Sequence, residues 1–317
     1  MGLRHVPSHL CCAGLLLAWA ACARPSPPAA APGTDPPEPQ PVHDFVRCAR
    51  LGEVEVSGRY DISGLTEASG VATSALEPGV LWIHNDSGNP PDLFAVTEDG
   101  RRLGRIELTG VTNVDWEDIA SGVCPKDVKG RRCLYVGDIG DNDARRPQVA
   151  VHVLPEPRVR GPFPPRKVAA ARTISFTWPG GPRDAEALAV AEDGTVVLVT
   201  KGREGYVEVF TLDLVEATPR PVSRARLDPP LFGGAGAATD WVTAADLHPE
   251  GFLLLRTYTA LWEFDVRDGI DASLPTRPHE RLPARFEPQG EAVAYRPEGG
   301  YVTVSESSGE IARVTCR

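Results

Sequence analysis

The sequence predicts an all-β fold, a β-propeller of five four-stranded blades, with six blades as the alternative. Three observations carry this. Helical periodicity is scarce, and short runs of Val, Leu, Ile, Tyr and Trp alternate with Gly, Pro, Asp and Asn turns. One unit recurs along the chain: a small or acidic residue, a short apolar strand, a Gly-containing turn, then a second apolar strand ending in polar residues. Finally, the last unit runs out of chain after its third strand, while the segment Glu53 to Arg59 is a spare strand without a blade of its own.

The copies read Ser69-Gly-Val-Ala with Val80 to Asp86, Glu117-Asp-Ile-Ala with Cys133 to Asp138, and Glu186-Ala-Leu-Ala with Val196 to Lys201. The fourth is Thr243-Ala-Ala-Asp with Phe252 to Arg256, and the fifth Glu291-Ala-Val-Ala with Tyr301 to Glu306. Their anchors, 69, 117, 186, 243 and 291, are spaced by 48, 69, 57 and 48 residues, lengths that suit four-stranded blades with variable loops. The 69-residue unit is the one long enough to hide a sixth, irregular blade. Third strands are readable at Leu93, Val149, Val207, Leu261 and Ile311, and fourth strands at about 103–108, 173–177, 222–227 and 281–286. The spare strand is expected to close the ring as the outer strand of the last blade, antiparallel to 311–316, which removes an exposed sheet edge.

Cysteines agree with that closure. Cys11 and Cys12 fall in an N-terminal export signal, with Arg4 as its basic start and Leu10 to Ala21 as an apolar run too short to span a bilayer. Of the remaining five, Cys22 follows Ala20-Ala21 in a pattern that resembles a bacterial lipoprotein processing site; cleavage after Ala21 or Ala23 by an ordinary signal peptidase is the alternative. The other four form an even number, which in an oxidising compartment suggests two disulfides. Cys124 and Cys133 flank a polar, basic loop as a local clip, and Cys48 with Cys316 would join the two ends of the domain. No C-x-x-C and no His pair supports zinc. Between signal and domain, residues 23–43 hold eight prolines, a composition that cannot bury a core and favours an extended tether. The expected organisation is a lipoprotein-type signal at 1–22, a tether at 23–43 and the propeller at 44–317. This describes an exported monomer, periplasmic or at the outer membrane, that meets the membrane through its lipid alone.

The 317 residues carry 43 Asp and Glu against 33 Lys and Arg, a formal charge of -10 that argues against nucleic acid as partner. The repeat gives many of those acids a place. In a propeller the start of each first strand and the end of each second strand meet at one end of the central channel. That end should gather Ser69, Glu117, Glu186, Thr243 and Glu291 with Asp86, Asp138, Asp141, Asn142, Lys201, Arg256, Tyr258 and Glu306; Asp115, Asp118, Asp184 and Asp240 lie in or near the loops leading in. The result is an acidic funnel holding two cations. Calcium is the expected cofactor, since carboxylates and backbone oxygens suit a hard cation. Asp86, Asp118, Asp138, Asp141 and Asn142 are the candidate ligands, the densest run being Asp138-Ile-Gly-Asp-Asn. Glu117, Glu186, Glu291, Lys201 and Arg256 are the candidate catalytic groups, as ligands, base or anion holders. The same residues can be read blandly, as turn caps and, for Lys201 with Glu186, as a structural pair. No Gly-x-Ser-x-Gly elbow, P-loop or dinucleotide Gly motif is present, and the histidines are scattered.

Ser69-Gly-Val-Ala, Leu81-Trp-Ile-His-Asn-Asp-Ser-Gly88, Asp115-Trp-Glu-Asp-Ile-Ala120, Leu134-Tyr-Val-Gly-Asp-Ile-Gly-Asp-Asn142 and Asp184-Ala-Glu-Ala-Leu-Ala189 together resemble exported bacterial propellers. These are the esterase-like phytase group and the broader gluconolactonase/NHL-like propellers. The resemblance covers about 60–317 and implies the propeller class; the phytase-like part implies calcium-dependent phosphate hydrolysis. Phytase-type propellers hold phosphate with several Lys and Arg, where this channel offers mainly Lys201 and Arg256. Two functions follow as expectations: a cell-envelope module whose calcium-binding funnel takes a small-molecule or protein ligand, and, alternatively, a metal-dependent phosphoester or ester hydrolase.

Overall fold

The computed structural model describes residues 45–214, 220–227, 240–274, 279–287, 289–306 and 308–317. The signal segment 1–22 with Cys22 and the tether 23–43 lie outside them.

Apolar runs without alternation become strands covered on both faces, and alternating runs become outer strands. The chain enters through β1 (Glu55–Arg59). The first blade follows as β2 (Ala68–Thr73), β3 (Val80–Asn85), β4 (Asp92–Thr97) and β5 (Arg102–Thr109). The second takes β6 (Trp116–Val123), β7 (Arg132–Asp138) and β8 (Val149–Pro155); β9 (Arg166–Ala169) then departs, and β10 (Arg172–Phe176) returns to complete it. The third is β11 (Ala185–Val190), β12 (Val196–Thr200), β13 (Val207–Leu212) and β14 (Val222–Leu227). The fourth is β15 (Val242–His248), β16 (Phe252–Thr257) and β17 (Leu261–Asp265), then a single helical turn α1 (Ile270–Ser273) and β18 (His279–Leu282). The fifth is β19 (Gly290–Tyr295), β20 (Tyr301–Ser305) and β21 (Glu310–Val314), with β1 as its outer strand.

The fold is therefore a five-bladed propeller, and the long second unit hides no sixth blade. Its extra length goes to the loop closed by the Cys124–Cys133 disulfide and to β9, which pairs in parallel with β5 of the first blade. Burial gives the same number. Five apolar clusters fill the five spaces between successive blades, including the space between the fifth and first. Closure runs as the spare strand required: Glu55 faces Arg313 and Arg59 faces Glu310 in antiparallel register, Leu51 bridges Cys316, and Cys48 is bonded to Cys316.

The inner strands β2, β6, β11, β15 and β19 neighbour one another around the axis. Five backbones converge there, so small side chains are required. In the layer just below the anchors the register aligns Gly70, Asp118, Ala187, Ala244 and Ala292, and two residues deeper Ala72, Ala120, Ala189, Asp246 and Ala294. A Cβ on Gly70 would lie 2.4 Å from His84 Nε2 and 2.8 Å from the Ile119 amide. Each layer thus holds one aspartate among Gly and Ala. These two use their carboxylates on the inner strands' free amide edges, groups that would otherwise be buried without partners. Asp118 Oδ2 accepts from Leu188 N (2.9 Å) and Ala245 N (3.1 Å), on two other blades, while Oδ1 accepts from Ile119 N. Asp246 accepts from Tyr295 N (2.7 Å) and Leu247 N.

Candidate functional site

Every inner strand carries a β-bulge at the same place. The register slips between 68 and 70, 116 and 118, 185 and 187, 242 and 244, and 290 and 292. The residue left unpaired in each slip is Ser69, Glu117, Glu186, Thr243 or Glu291, the five anchors of the repeat. A bulge re-aims its extra side chain out of the ladder, and bulges recur beside functional sites. Two of the five are spent on the ring itself: Ser69 Oγ donates to the Glu117 carbonyl (2.6 Å) and Thr243 Oγ1 to the Gly290 carbonyl (2.8 Å) of the next blade. The three glutamates remain.

A second ring surrounds them. The residue that follows the paired end of the second strand is Asp86, Lys201, Tyr258 or Glu306 in four blades. In three of these its amide donates back to the residue two before the anchor: Asp86 to Glu67 O, Lys201 to Asp184 O and Glu306 to Gln289 O. In the second blade this bond is made one residue later, by Gly140 to Asp115 O. Gly140 has no side chain there for a physical reason: a Cβ would lie 2.0 Å from Glu117 Oε1 and 2.7 Å from Asp115 Oδ2.

The result is two carboxylate triads that share one residue. Asp86, Asp115 and Glu117 form the first and Glu117, Asp184 and Glu186 the second, with ligand oxygens in each group within 4.8 Å of one another. Glu117 is 4% exposed and accepts no hydrogen bond from any described residue. Its neighbours are held firmly. Asn113 donates to Asp86 O (2.7 Å) and accepts from Trp116 N, tying first blade to second; the Asp141 amide donates to Asp184 Oδ1 (3.0 Å), tying second to third.

Electrostatics follow from that crowding. Burial, then the Glu186, Asp86 and Asp115 charges, push Glu117 well above the usual carboxylate range. Burial and Asp86 lift Asp115 to about 6, and burial with Glu306 lifts Glu291 to about 7. Glu186 is pushed up to about 8 by burial, against the pull of Lys201, whose Nζ lies 2.6 Å from Glu186 Oε1. Burial also works against the Lys201 ammonium, but Glu186, Tyr258 and Glu117 outweigh it and hold it above its ordinary value. Trp241 stands beside this pair, its ring centroid 6.0 Å from Lys201 Nζ and 4.8 Å from the Arg203 guanidinium carbon.

Of the sequence-predicted residues, the structure brings together Asp86, Glu117, Glu186 and Lys201, with Glu291 on the same ring. It sets five others to different work. Asp118 staples three blades one layer deeper. Asp138 accepts from Arg146 Nη2 (2.6 Å) and from Asp115 N; these bonds, with His152, hold its carboxyl below the usual range despite burial. Asp141 caps the turn by accepting from the Arg145 and Arg146 amides, and Asn142 Oδ1 accepts from Arg203. Arg256 is buried, donating to Ala292 O and Glu287 Oε2 at 2.6 Å each, and Thr303 binds the other Glu287 oxygen. Trp116 is wholly buried between the rings of His84 and His152. The two members of the carboxylate cluster that the sequence did not mark as candidate ligands are Asp115 and Asp184. Their signal was present: Asp-x-Glu occurs at 115/117 and 184/186, in phase in two adjacent blades. Arg146, which braces the Asp138 loop, and Glu287, which neutralises Arg256, carried no signal.

No protein-family model matches the sequence, and no curated protein matches it. Solved structures similar to the chain are propellers. A PQQ-bound aldose sugar dehydrogenase from Streptomyces coelicolor is 13% identical over 85% of this chain and 99% of its own, with a TM-score of 0.45. A gluconolactonase from Xanthomonas campestris is 11% identical over 86% and 91%, at 0.49. A calcium-binding regucalcin from Agrobacterium tumefaciens is 14% identical over 83% and 96%, at 0.47.

Proposed function

We propose that this protein is a cell-envelope binding module whose funnel holds a divalent cation, calcium by the chemistry of its donors, for the capture of a small-molecule or protein ligand. The observation that carries the reading is the convergence of four carboxylates, Asp86, Asp115, Asp184 and Glu186, from three blades on the buried Glu117. All-oxygen, carboxylate-rich donor sets select hard cations over zinc or copper. Export, and tethering through a lipid on Cys22, rest on the N-terminal sequence. Binding is favoured over phosphoester hydrolysis because Arg256 is committed to Glu287 and Ala292, and the two cations beside the triads, Lys201 and Arg203, are themselves paired with Glu186 and Asp184.

The test is a thermal melt against pH with and without calcium. Acids whose folded-state pKa is raised bind protons more tightly in the fold than in the unfolded chain. Their contribution is full below the unfolded values, 3.8 for Asp and 4.5 for Glu, and is lost as pH rises through about 6 for Asp115, about 7 for Glu291 and about 8 for Glu186. The cation-free protein should therefore lose stability between about pH 4 and about pH 8. Calcium binds the ionised carboxylates of the two triads, so it should offset part of that loss and make the slope shallower. At a hundredfold excess over Kd it should add about 2.7 kcal/mol, a rise of roughly 5–10 °C in Tm at alkaline pH. A Tm indifferent to calcium and to EDTA across that range would sink the cation site.

Gly140→Ala is a sharper probe of the same centre. The new methyl must displace the Glu117 carboxylate, a mobile side-chain end, and press on Asp115. Calcium affinity by titration calorimetry should fall about 10- to 100-fold while the fold is kept. Unchanged affinity would remove Glu117 from the ligand set.

A further inference from the structure

Lys201 is the one buried lysine among four in the sequence; Lys126, Lys129 and Lys167 are exposed. Its side chain, 8% exposed, lies 2.6 Å from Glu186 Oε1, at the edge of one carboxylate triad. Its charge also acts on Asp86, Glu117, Glu291 and Glu306, so one ammonium faces acids from four blades. Resting on the reading of this funnel as a divalent-cation site, we propose that Lys201 is a tethered cation that keeps monovalent ions out of the site and sets the concentration at which a divalent ion enters.

The reason is one of exchange. Replacing a tethered single charge by a free single charge gains no Coulomb energy and forfeits the high effective concentration of the tether. A divalent ion doubles the charge facing the carboxylates, so it alone can displace the ammonium from Glu186. The residue type fits. A lysine is a compact charge on a flexible stem and can leave by rotation, whereas a guanidinium locks in a fixed fork. Arg256 shows the alternative in the same ring of second strands, pinned by Glu287 and the Ala292 carbonyl. Glu117 supplies the second sign that the cluster calls for a counter-ion: it is 4% exposed and receives no hydrogen bond from a described residue.

The experiment is calcium titration calorimetry on wild type, K201M and K201R, each in potassium chloride and in tetramethylammonium chloride of equal ionic strength. Tetramethylammonium screens but is too large to enter. In tetramethylammonium, K201M should bind calcium at least about tenfold more tightly than wild type, since a repelling charge is gone. Potassium should reverse part of that gain in K201M and leave wild type and K201R unmoved. K201Q, which can still hydrogen-bond Glu186, should shift in the same direction as K201M and guards against loss of the fold. Equal or weaker binding by K201M and K201Q, with wild type binding calcium, overturns the tethered-cation role and leaves the cation site standing. No calcium binding by any of the four proteins overturns both.

Discussion

Replacing Asp118 by alanine is expected to cost about 2–6 kcal/mol of stability, because two buried amides on other blades lose their acceptor at about 1–3 kcal/mol each. Asp118 is 0% exposed, and its Oδ2 holds Leu188 N and Ala245 N on the third and fourth blades. No neighbour can take over, since the same layer otherwise holds Gly70, Ala187, Ala244 and Ala292. Asp118→Asn should cost less than Asp118→Ala. It keeps one acceptor oxygen, but turns an NH2 donor toward an amide donor. Denaturant melts measure both. Calorimetry on the folded Asn variant supplies the discriminating readout: calcium affinity should stay within about threefold of wild type, well short of the 10- to 100-fold loss that follows changes in or beside a ligand set. A stable Asp118→Ala variant would show that the axis is not held together by this carboxylate. A collapse of calcium affinity in folded Asp118→Asn would return Asp118 to the ligands.

Asp118 also shows where sequence reading reached its end. Strand order, ring closure and both disulfides follow from the repeat, because each blade reuses the same strand–turn–strand grammar and the spare N-terminal strand fits the last blade; five blades against six is decided only by where β9 and the disulfide loop take up the long second unit. The anchors were legible for the same reason: 69, 117, 186, 243 and 291 share one phase. Their bulges were not, since a bulge is a mismatch between two strands and leaves no mark on either alone. Without the bulge, Glu117 and Asp118 are merely adjacent acids. With it, one enters the funnel and the other turns to amides that lie 70 and 127 residues onward. The Asp138-Ile-Gly-Asp-Asn run misleads in the opposite way. It is dense in oxygen donors, yet Arg146 and the local amides absorb Asp138 and Asp141, and the residue of that run that matters most to the cluster is Gly140, through the side chain it lacks. Arg256 looks like an anion holder in the sequence because its partner, Glu287, sits 31 residues away in a loop with no repeat signature. β9 was invisible because four exposed or half-exposed residues on a sheet edge carry no periodicity.

Removing the Cys48–Cys316 disulfide should be among the most costly changes available in this chain. The bond spans 268 residues, and in the chain-entropy account a loop of that size restrains the unfolded state by about 5.6 kcal/mol. The Cys124–Cys133 bond spans 9 residues and by the same account contributes about 3 kcal/mol. Cys48→Ser/Cys316→Ser should therefore melt lower than Cys124→Ser/Cys133→Ser. The folded state widens the gap. β1 is held to the fifth blade by one short ladder and buries none of its own residues, while Tyr60, which follows it, enters the apolar cluster between the fifth and first blades. With the bond gone, a ring closed by strand exchange acquires two free edges whenever β1 frays. Hydrogen exchange should accordingly accelerate first in β1 and β21 of the end-to-end variant, and stay local to the 125–132 loop in the other. Equal melting temperatures for the two variants, or exchange that rises evenly through all five blades, would mean that the ring is closed by packing and not by its terminal clasp. The acidic funnel gives this clasp a further consequence. Its carboxylates repel one another across blades, so without a cation the ring is under outward pressure and the clasp should matter most at high pH and low calcium. The loss in Tm on cutting Cys48–Cys316 should shrink when calcium is added.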